Sequence, residues 1–239
     1  MSNTDHPDWD RVLSAAAHLQ DIFPDAVLVG GTASAIYADH RLSVDADHVL
    51  TDLRSRFDDV LAQLESVAGW KTARVQRPVQ ILGSLDGIET GIQQLIREQP
   101  LESHRIRKSG IDITVPTLDE ILRIKAVLVL KRNATRDYLD YAALTARLSD
   151  SGVIRALRPF DDLYPQANKE SPLQQLSIQL GEPMPFDLDD IDLAEYKHLA
   201  NEWQDWDRVD RACRASAILI LDHLICERPL KPASRRARP

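Results

Sequence analysis

Val27-Leu28-Val29-Gly30-Gly31-Thr32-Ala33-Ser34-Ala35-Ile36-Tyr37-Ala38-Asp39-His40-Arg41-Leu42-Ser43-Val44-Asp45-Ala46-Asp47 is the stretch that decides the fold. Ala26 to Val29 reads as a short buried strand, and Thr32 to Ala38, rich in alanine, as a short helix. Leu42 to Leu50 reads as a second strand with partial alternation of apolar and polar residues. Glycine lets backbone amides approach a phosphate, and a helix N-terminus favours negative charge. Gly30, Gly31 and Thr32 are therefore candidate phosphate-cradling residues. Residues i and i+2 of a strand share a face, which sets Asp45 and Asp47 side by side and turns Val44 and Ala46 to the core. Two such carboxylates suit a pair of magnesium ions roughly 3.5–4 Å apart, the arrangement of in-line phosphoryl displacement. Asp45 and Asp47 are the candidate metal ligands and catalytic acids, and His48 is predicted to point to the opposite face.

Working outward, Trp9, Val12, Leu13, Ala16, Leu19 and Ile22 recur at helical spacing, so a helix is predicted from Asp8 to Ile22, ended by Pro24. Downstream, Leu53, Phe57, Val60, Leu64 and Val67 mark one face of a helix from Asp52 to Ala68, with Gly69 as its stop. Further strands are predicted at Thr72–Val75, Val79–Leu82, Gly87–Leu95 and Ile111–Val115. Thr117-Leu118-Asp119-Glu120 fits a capping box for a helix that reaches Lys131, and Asn133 is predicted to cap the next one, which runs through Leu148. Residues 1–150 thus read as an α+β domain with a mixed sheet. After Ser151 strand signals vanish and prolines punctuate the chain. Helical stretches at Asp190–Trp206 and Arg208–Cys226 make residues 151–228 a helical lobe, and the basic, proline-containing residues 229–239 are expected to be disordered.

Composition narrows the function classes. The formal charge of -8 argues against non-specific coating of nucleic acid, which rests on many Lys and Arg contacts. The distribution is uneven, with nine basic residues against five acids between Arg97 and Arg136, and ten acids against Lys197 and Arg208 between Glu182 and Asp210. The first stretch could face an anionic substrate; a solvated surface accounts for the second, and for the first equally well. No apolar run reaches membrane-spanning length, and Met1 to Pro7 lacks the regions of a signal peptide, so the expectation is a cytoplasmic protein with no membrane partner. Cys213 and Cys226 lack partners at metal-ligand spacing and read as helix-core residues.

One lysine stands out among the basic residues. Lys125 has Ile121, Leu122, Leu128 and Val129 three and four positions away, so its ammonium emerges from an apolar face, a costly place for an unpaired charge. Asp137, which follows Arg136 at the start of the next helix, could orient it across a helical hairpin. A purely structural bridge between the two would look the same in sequence.

Gly30-Gly31-Thr32-Ala33 followed by His40-Arg41-Leu42-Ser43-Val44-Asp45-Ala46-Asp47 resembles the polymerase-β-like nucleotidyltransferases, and more specifically the AbiEii-like toxins of type IV toxin–antitoxin systems. The resemblance spans Leu28 to Leu144 and implies a magnesium-dependent transfer of a nucleoside monophosphate from a nucleoside triphosphate to an acceptor hydroxyl. It further implies a tRNA 3′ end or a protein as acceptor, and a cognate antitoxin as partner. It implies that Lys125 and Asp137 belong to the active site, with the lysine near the nucleotide phosphates. Such enzymes place a third carboxylate on a following strand, for which Glu89 is preferred by strand order and Asp112 is the alternative. Two other readings stand beside this one: nucleotidylation of a small molecule, and a catalytically silent domain that binds a partner through its acidic surface.

Overall fold

A computed structural model describes residues 7–196 and 198–227. The basic segment 229–239 lies outside the described residues. Helix α1 (Pro7–Ile22) leads into strand β1 (Val27–Leu28), helix α2 (Gly30–Ala38), strand β2 (Ala46–Leu50) and helix α3 (Phe57–Glu65). Strands β3 (Trp70–Gln76), β4 (Gln80–Leu85) and β5 (Ile88–Gln94) follow, and then the two-stranded ribbon β6 (Ser103–Lys108) and β7 (Ile111–Pro116). The remainder is helical: α4 (Leu118–Arg132), α5 (Thr135–Thr145), α6 (Asp150–Leu157), α7 (Phe160–Leu163), α8 (Pro172–Gly181) and α9 (Trp206–Glu227).

Among the described residues the main sheet has five strands in the order β1-β2-β5-β4-β3. β2 and β5 run parallel, Asp47 beside Gly91 and Val49 beside Gln93, while the other pairs are antiparallel. The α+β architecture with a mixed sheet expected from the sequence is the observed one. Trp9, Val12, Leu13 and Ala16 on α1 pack against β1, β2 and the ribbon; Leu50, Ile81 and Ile92 carry the sheet core onto α3. A third apolar core joins α2, α4 and α5 to α6, α8 and α9 without a break, through residues such as Leu122, Tyr138, Leu144, Leu157, Leu176 and Ile220.

Several local expectations give way to tertiary context. β2 begins only at Ala46, because Arg41, Leu42 and Ser43 turn inward and bury; Val44, expected in the core, is 46% exposed in the loop. β6 escapes a periodicity reading because it is basic and exposed apart from half-buried Ile106 and Lys108, and it is a strand by virtue of its ladder to β7. Two prolines in the C-terminal half stand at helix starts: Pro172 occupies the first turn of α8 behind a Ser171 cap, and Pro159 precedes α7. The helix expected over Asp190–Trp206 is instead irregular, with short 3₁₀ turns at Leu188–Asp190 and Asn201–Trp203. That segment is held by contacts elsewhere. The Ala200 amide donates to the His40 carbonyl at 2.7 Å, and Asp187 accepts from the Thr135 amide and hydroxyl at 2.7 and 2.8 Å.

Asp187 thereby satisfies the start of α5, a role the sequence suggested for Asn133. Asn133 instead ends α4 in the left-handed conformation, its amide donating to the Val129 carbonyl at 3.1 Å. Thr117 does cap α4, accepting from the Glu120 amide, but Glu120 does not close the box. Its carboxylate is buried against both terminal nitrogens of Arg97, at 2.9 and 2.8 Å, and against Arg123 at 3.0 Å. Cys213 is buried as expected, whereas Cys226 is exposed.

Candidate active site

A cavity of about 340 Å³ opens between β2, the C-terminal end of β5, the start of α2, and α4. Gly30, Gly31, Arg41, Ser43, Asp45, Asp47, Lys125, Arg132 and Arg136 contribute its polar lining. Gly30 adopts φ +74°, beyond the reach of most side chains, and a Cβ there would meet the Asp47 carboxylate at 3.4 Å. A Cβ on Gly31 would lie 2.4 Å from Nη2 of Arg41 and 2.7 Å from Oγ of Ser43. The second glycine is therefore required so that an arginine can lie against the helix start. Thr32 does not line the cavity: it is fully buried, and its hydroxyl donates to the Asp45 carbonyl. On the next strand the Thr90 hydroxyl donates to the Ala46 carbonyl, so two threonines brace the backbone that carries the acids.

Asp45 and Asp47 are half-buried and face this space, and neither makes an ion pair among the described residues. Burial raises the Asp47 carboxyl above its ordinary value, and the Asp45 charge adds to the rise; Lys125, Arg136 and Arg132 pull the other way. Two carboxylates crowded on one wall and outside any ion pair are hard oxygen donors of the kind that suits magnesium, which typically uses one or two carboxylates and completes its shell with water and substrate phosphates. Glu89 sits at the exposed start of β5 and Asp112 on β7, 3.7 Å from Arg107; neither lines the cavity. Among the described residues no group of three or more His, Cys, Asp and Glu is placed to hold a metal. The β5 side chains that reach the cavity are Gln93 and Gln94.

Lys125 is 2% exposed, as the apolar helix face implied, but its principal partner is Asp140. Its ammonium donates to Asp140 Oδ2 at 2.7 Å and lies 3.8 Å from Asp137. Asp137 is instead gripped by Arg132, whose Nε and Nη2 donate to its two oxygens at 3.0 and 2.7 Å. Asp140 is fully buried and also accepts from Arg41, Nε at 2.7 Å and Nη2 at 3.0 Å, and from His40 Nε2 at 2.7 Å. Burial alone would raise its carboxyl, yet the Arg41 and Lys125 charges and the His40 hydrogen bond hold it well below the usual range. One carboxylate thus ties the loop before β2 to α4, and presents Arg41 and Lys125 to the cavity in fixed positions. Arg136, exposed at the start of α5, makes no ion pair among the described residues and lines the same cavity.

His40, Arg41, Asp140 and Arg136 were not singled out by sequence reasoning as site residues. The available signal was helical spacing: Asp140 lies three positions after Asp137, on the same side of α5. His48 follows expectation. It is buried on the far side of β2, Nδ1 donating to the Ala46 carbonyl at 2.9 Å, and burial lowers its pKa to about 4.

The fold is shared with structures of nucleotidyltransferases. A candidate nucleotidyltransferase from H. pylori superposes with a TM-score of 0.54 at 16% identity, covering 91% of this chain and 95% of that one. An antigenic nucleotidyltransferase-like protein from Paracoccidioides brasiliensis gives 0.51 at 17% identity, covering 81% and 95%. No protein-family model matches the chain. Over 129 residues it is 30% identical to the heme uptake protein MmpL11 of Mycobacterium tuberculosis and 26% identical to the mycolic acid-containing lipids exporter MmpL11 of Mycolicibacterium smegmatis. Those matches cover 53% of this chain, which spans 13% of the length of these relatives. Among the described residues no helix is long and apolar enough to cross a membrane.

Proposed function

We propose that the protein is a nucleotidyltransferase that moves a nucleoside monophosphate from a nucleoside triphosphate to an acceptor hydroxyl. The observation that carries this reading is one cavity lined by the Gly30-Gly31 turn, by Asp45 and Asp47, which make no ion pair among the described residues, and by Lys125 and Arg136. Asp45 and Asp47 would hold magnesium, and bound there it supplies Lewis acidity toward the triphosphate oxygens. The backbone at Gly30 and Gly31 receives phosphate at the start of α2. Lys125, Arg41 and Arg136 offset the charge that builds on the leaving group. The acceptor oxygen forms a bond to the α-phosphorus, the bond from that phosphorus to the α,β-bridging oxygen breaks, the hydroxyl proton goes to water, and pyrophosphate leaves.

The finer assignment is a toxin of a type IV toxin–antitoxin pair acting on a tRNA 3′ end or a protein hydroxyl, with a cognate antitoxin as partner. It rests on the Gly-Gly-Thr-Ala and His-Arg-x-Ser-x-Asp-x-Asp resemblance to AbiEii-like proteins. The test is incubation with each labelled triphosphate, magnesium and total tRNA. Label appearing on RNA and disappearing with Asp45→Ala supports the reading; absence of any triphosphate binding overturns it.

A further inference from the structure

Helix α9 is apolar on two sides. Val209, Cys213, Ala217 and Ile220 are buried and join the core shared with α5, α6 and α8. Ile218, Leu221 and Ile225 recur at helical spacing on the other side, and each is 49–60% exposed. A single exposed apolar residue is ordinary, but three in register on one helix make a face that suits a second neighbour.

Charge along that face changes sign from one end to the other. Arg211 and Arg214 stand before Ile218, and Asp222 stands after it, exposed and in no ion pair among the described residues. Nε and Nη1 of Arg214 donate to Asp210 at 2.6 Å and to the Gly181 carbonyl at 2.7 Å, which sets the guanidinium in place. Ile218 is the midpoint, with Arg214 four residues before it and Asp222 four after, about 6 Å along the helix in each direction. Two copies of α9 laid antiparallel with Ile218 on the two-fold axis therefore bring Arg214 of each level with Asp222 of the partner subunit. The same register sets small Ala215 level with the partner's Leu221. A parallel pair would put Arg214 on Arg214 and Asp222 on Asp222, like charge on like. A lipid surface would have to take in the Asp222 carboxylate along with the stripe.

The geometry points to a homodimer of this chain in solution, in which the Ile218, Leu221 and Ile225 face of α9 packs antiparallel against its own copy. None of these residues lines the cavity of the candidate active site, so the dimer stands or falls apart from the nucleotidyl-transfer reading.

Sedimentation equilibrium of the full chain between about 1 and about 300 μM tests it, the span in which an interface below the standard size comes apart. The apparent mass rises from 26.9 kDa toward twice that value. Ile218→Glu weakens association about tenfold or more and Asp222→Arg about threefold or more, with far-UV circular dichroism unchanged because both positions are exposed. A control with the same change of charge as the first, Val75→Glu on exposed β3, leaves association unaltered. Register is read in a Cys226→Ser background, which removes the exposed native thiol. With an added oxidant, Ile218→Cys gives a disulfide-linked dimer and Ile225→Cys does not, because antiparallel packing sets the two copies of position 225 about 21 Å apart along the helices. A monomer at every concentration, a dimer that Ile218→Glu leaves intact, cross-linking at 225 as readily as at 218, or a monomer that adsorbs to lipid vesicles through Ile218 overturns the inference.

Discussion

Asp140 and the Asp45–Asp47 pair flank the same lysine under opposite conditions. Asp140 is fully buried and accepts from three basic side chains, which hold its carboxyl well below the ordinary range. The Asp45–Asp47 pair is half-buried, faces a cavity and has no ion-pair partner among the described residues, and Asp47 is pushed upward by burial and by its neighbour. One acid type is thereby divided into a group whose charge is spent on architecture and a group whose charge is left for a ligand. A buried carboxylate that is fully paired sets positions, whereas like charges crowded at an opening make a candidate site for a cation.

Variants can break this contrast, and their expected effects on stability descend as follows. Asp140→Ala leaves Arg41 and Lys125 buried without their shared carboxylate and costs about 3–5 kcal/mol. The urea unfolding midpoint measures this, and transfer activity falls with it. His48 gives a neutral counterpart on the closed face of the same strand. Its folded pKa of about 4 lies below the free value of about 6.5, so its contribution is intact above pH ~6.5 and is lost as pH falls toward 4, by about 3 kcal/mol in all. Unfolding followed across that window shows the decline, and His48→Leu flattens it by a comparable amount. Gly31→Ala couples the two regions, because its methyl would lie 2.4 Å from Arg41 Nη2 and displace the guanidinium from Asp140. The cost is about 1–3 kcal/mol, and activity drops more than stability because Arg41 leaves the cavity wall.

Asp47→Asn has the smallest effect on stability and the opposite sign. A carboxyl with a raised folded pKa loses stability as pH rises through its titration, so removing the charge raises the melting temperature at neutral pH without magnesium. Transfer activity is lost in the same variant. A lower melting temperature for Asp47→Asn would mean that the pair is structural after all.

The glycine turn, both cavity aspartates and the burial of Lys125 were legible because each depends on residues within a few turns of chain. The partner of Lys125 was not. Choosing Asp140 over Asp137 requires knowing that Arg132 occupies Asp137 and that the loop at His40 and Arg41 packs onto α5, about 100 residues away. Thr32 shows the same limit from the other side: a hydroxyl at the head of a phosphate-type turn is spent on the Asp45 carbonyl, and composition gives no sign of it. In the C-terminal half, Pro159 and Pro172 read as interruptions because a proline that starts a helix and one that prevents it look alike until the preceding cap is placed.

The reach from His40 and Arg41 to Asp140, and from the His40 carbonyl to Ala200, sets an order of events during synthesis. A nascent chain that has emerged as far as β7 already carries Gly30, Gly31, Asp45 and Asp47, but Arg41 has no counter-ion and Lys125 has not been made. Because Lys125 and Asp140 follow β7 in the sequence, assembly of the cavity waits until α5 has been made.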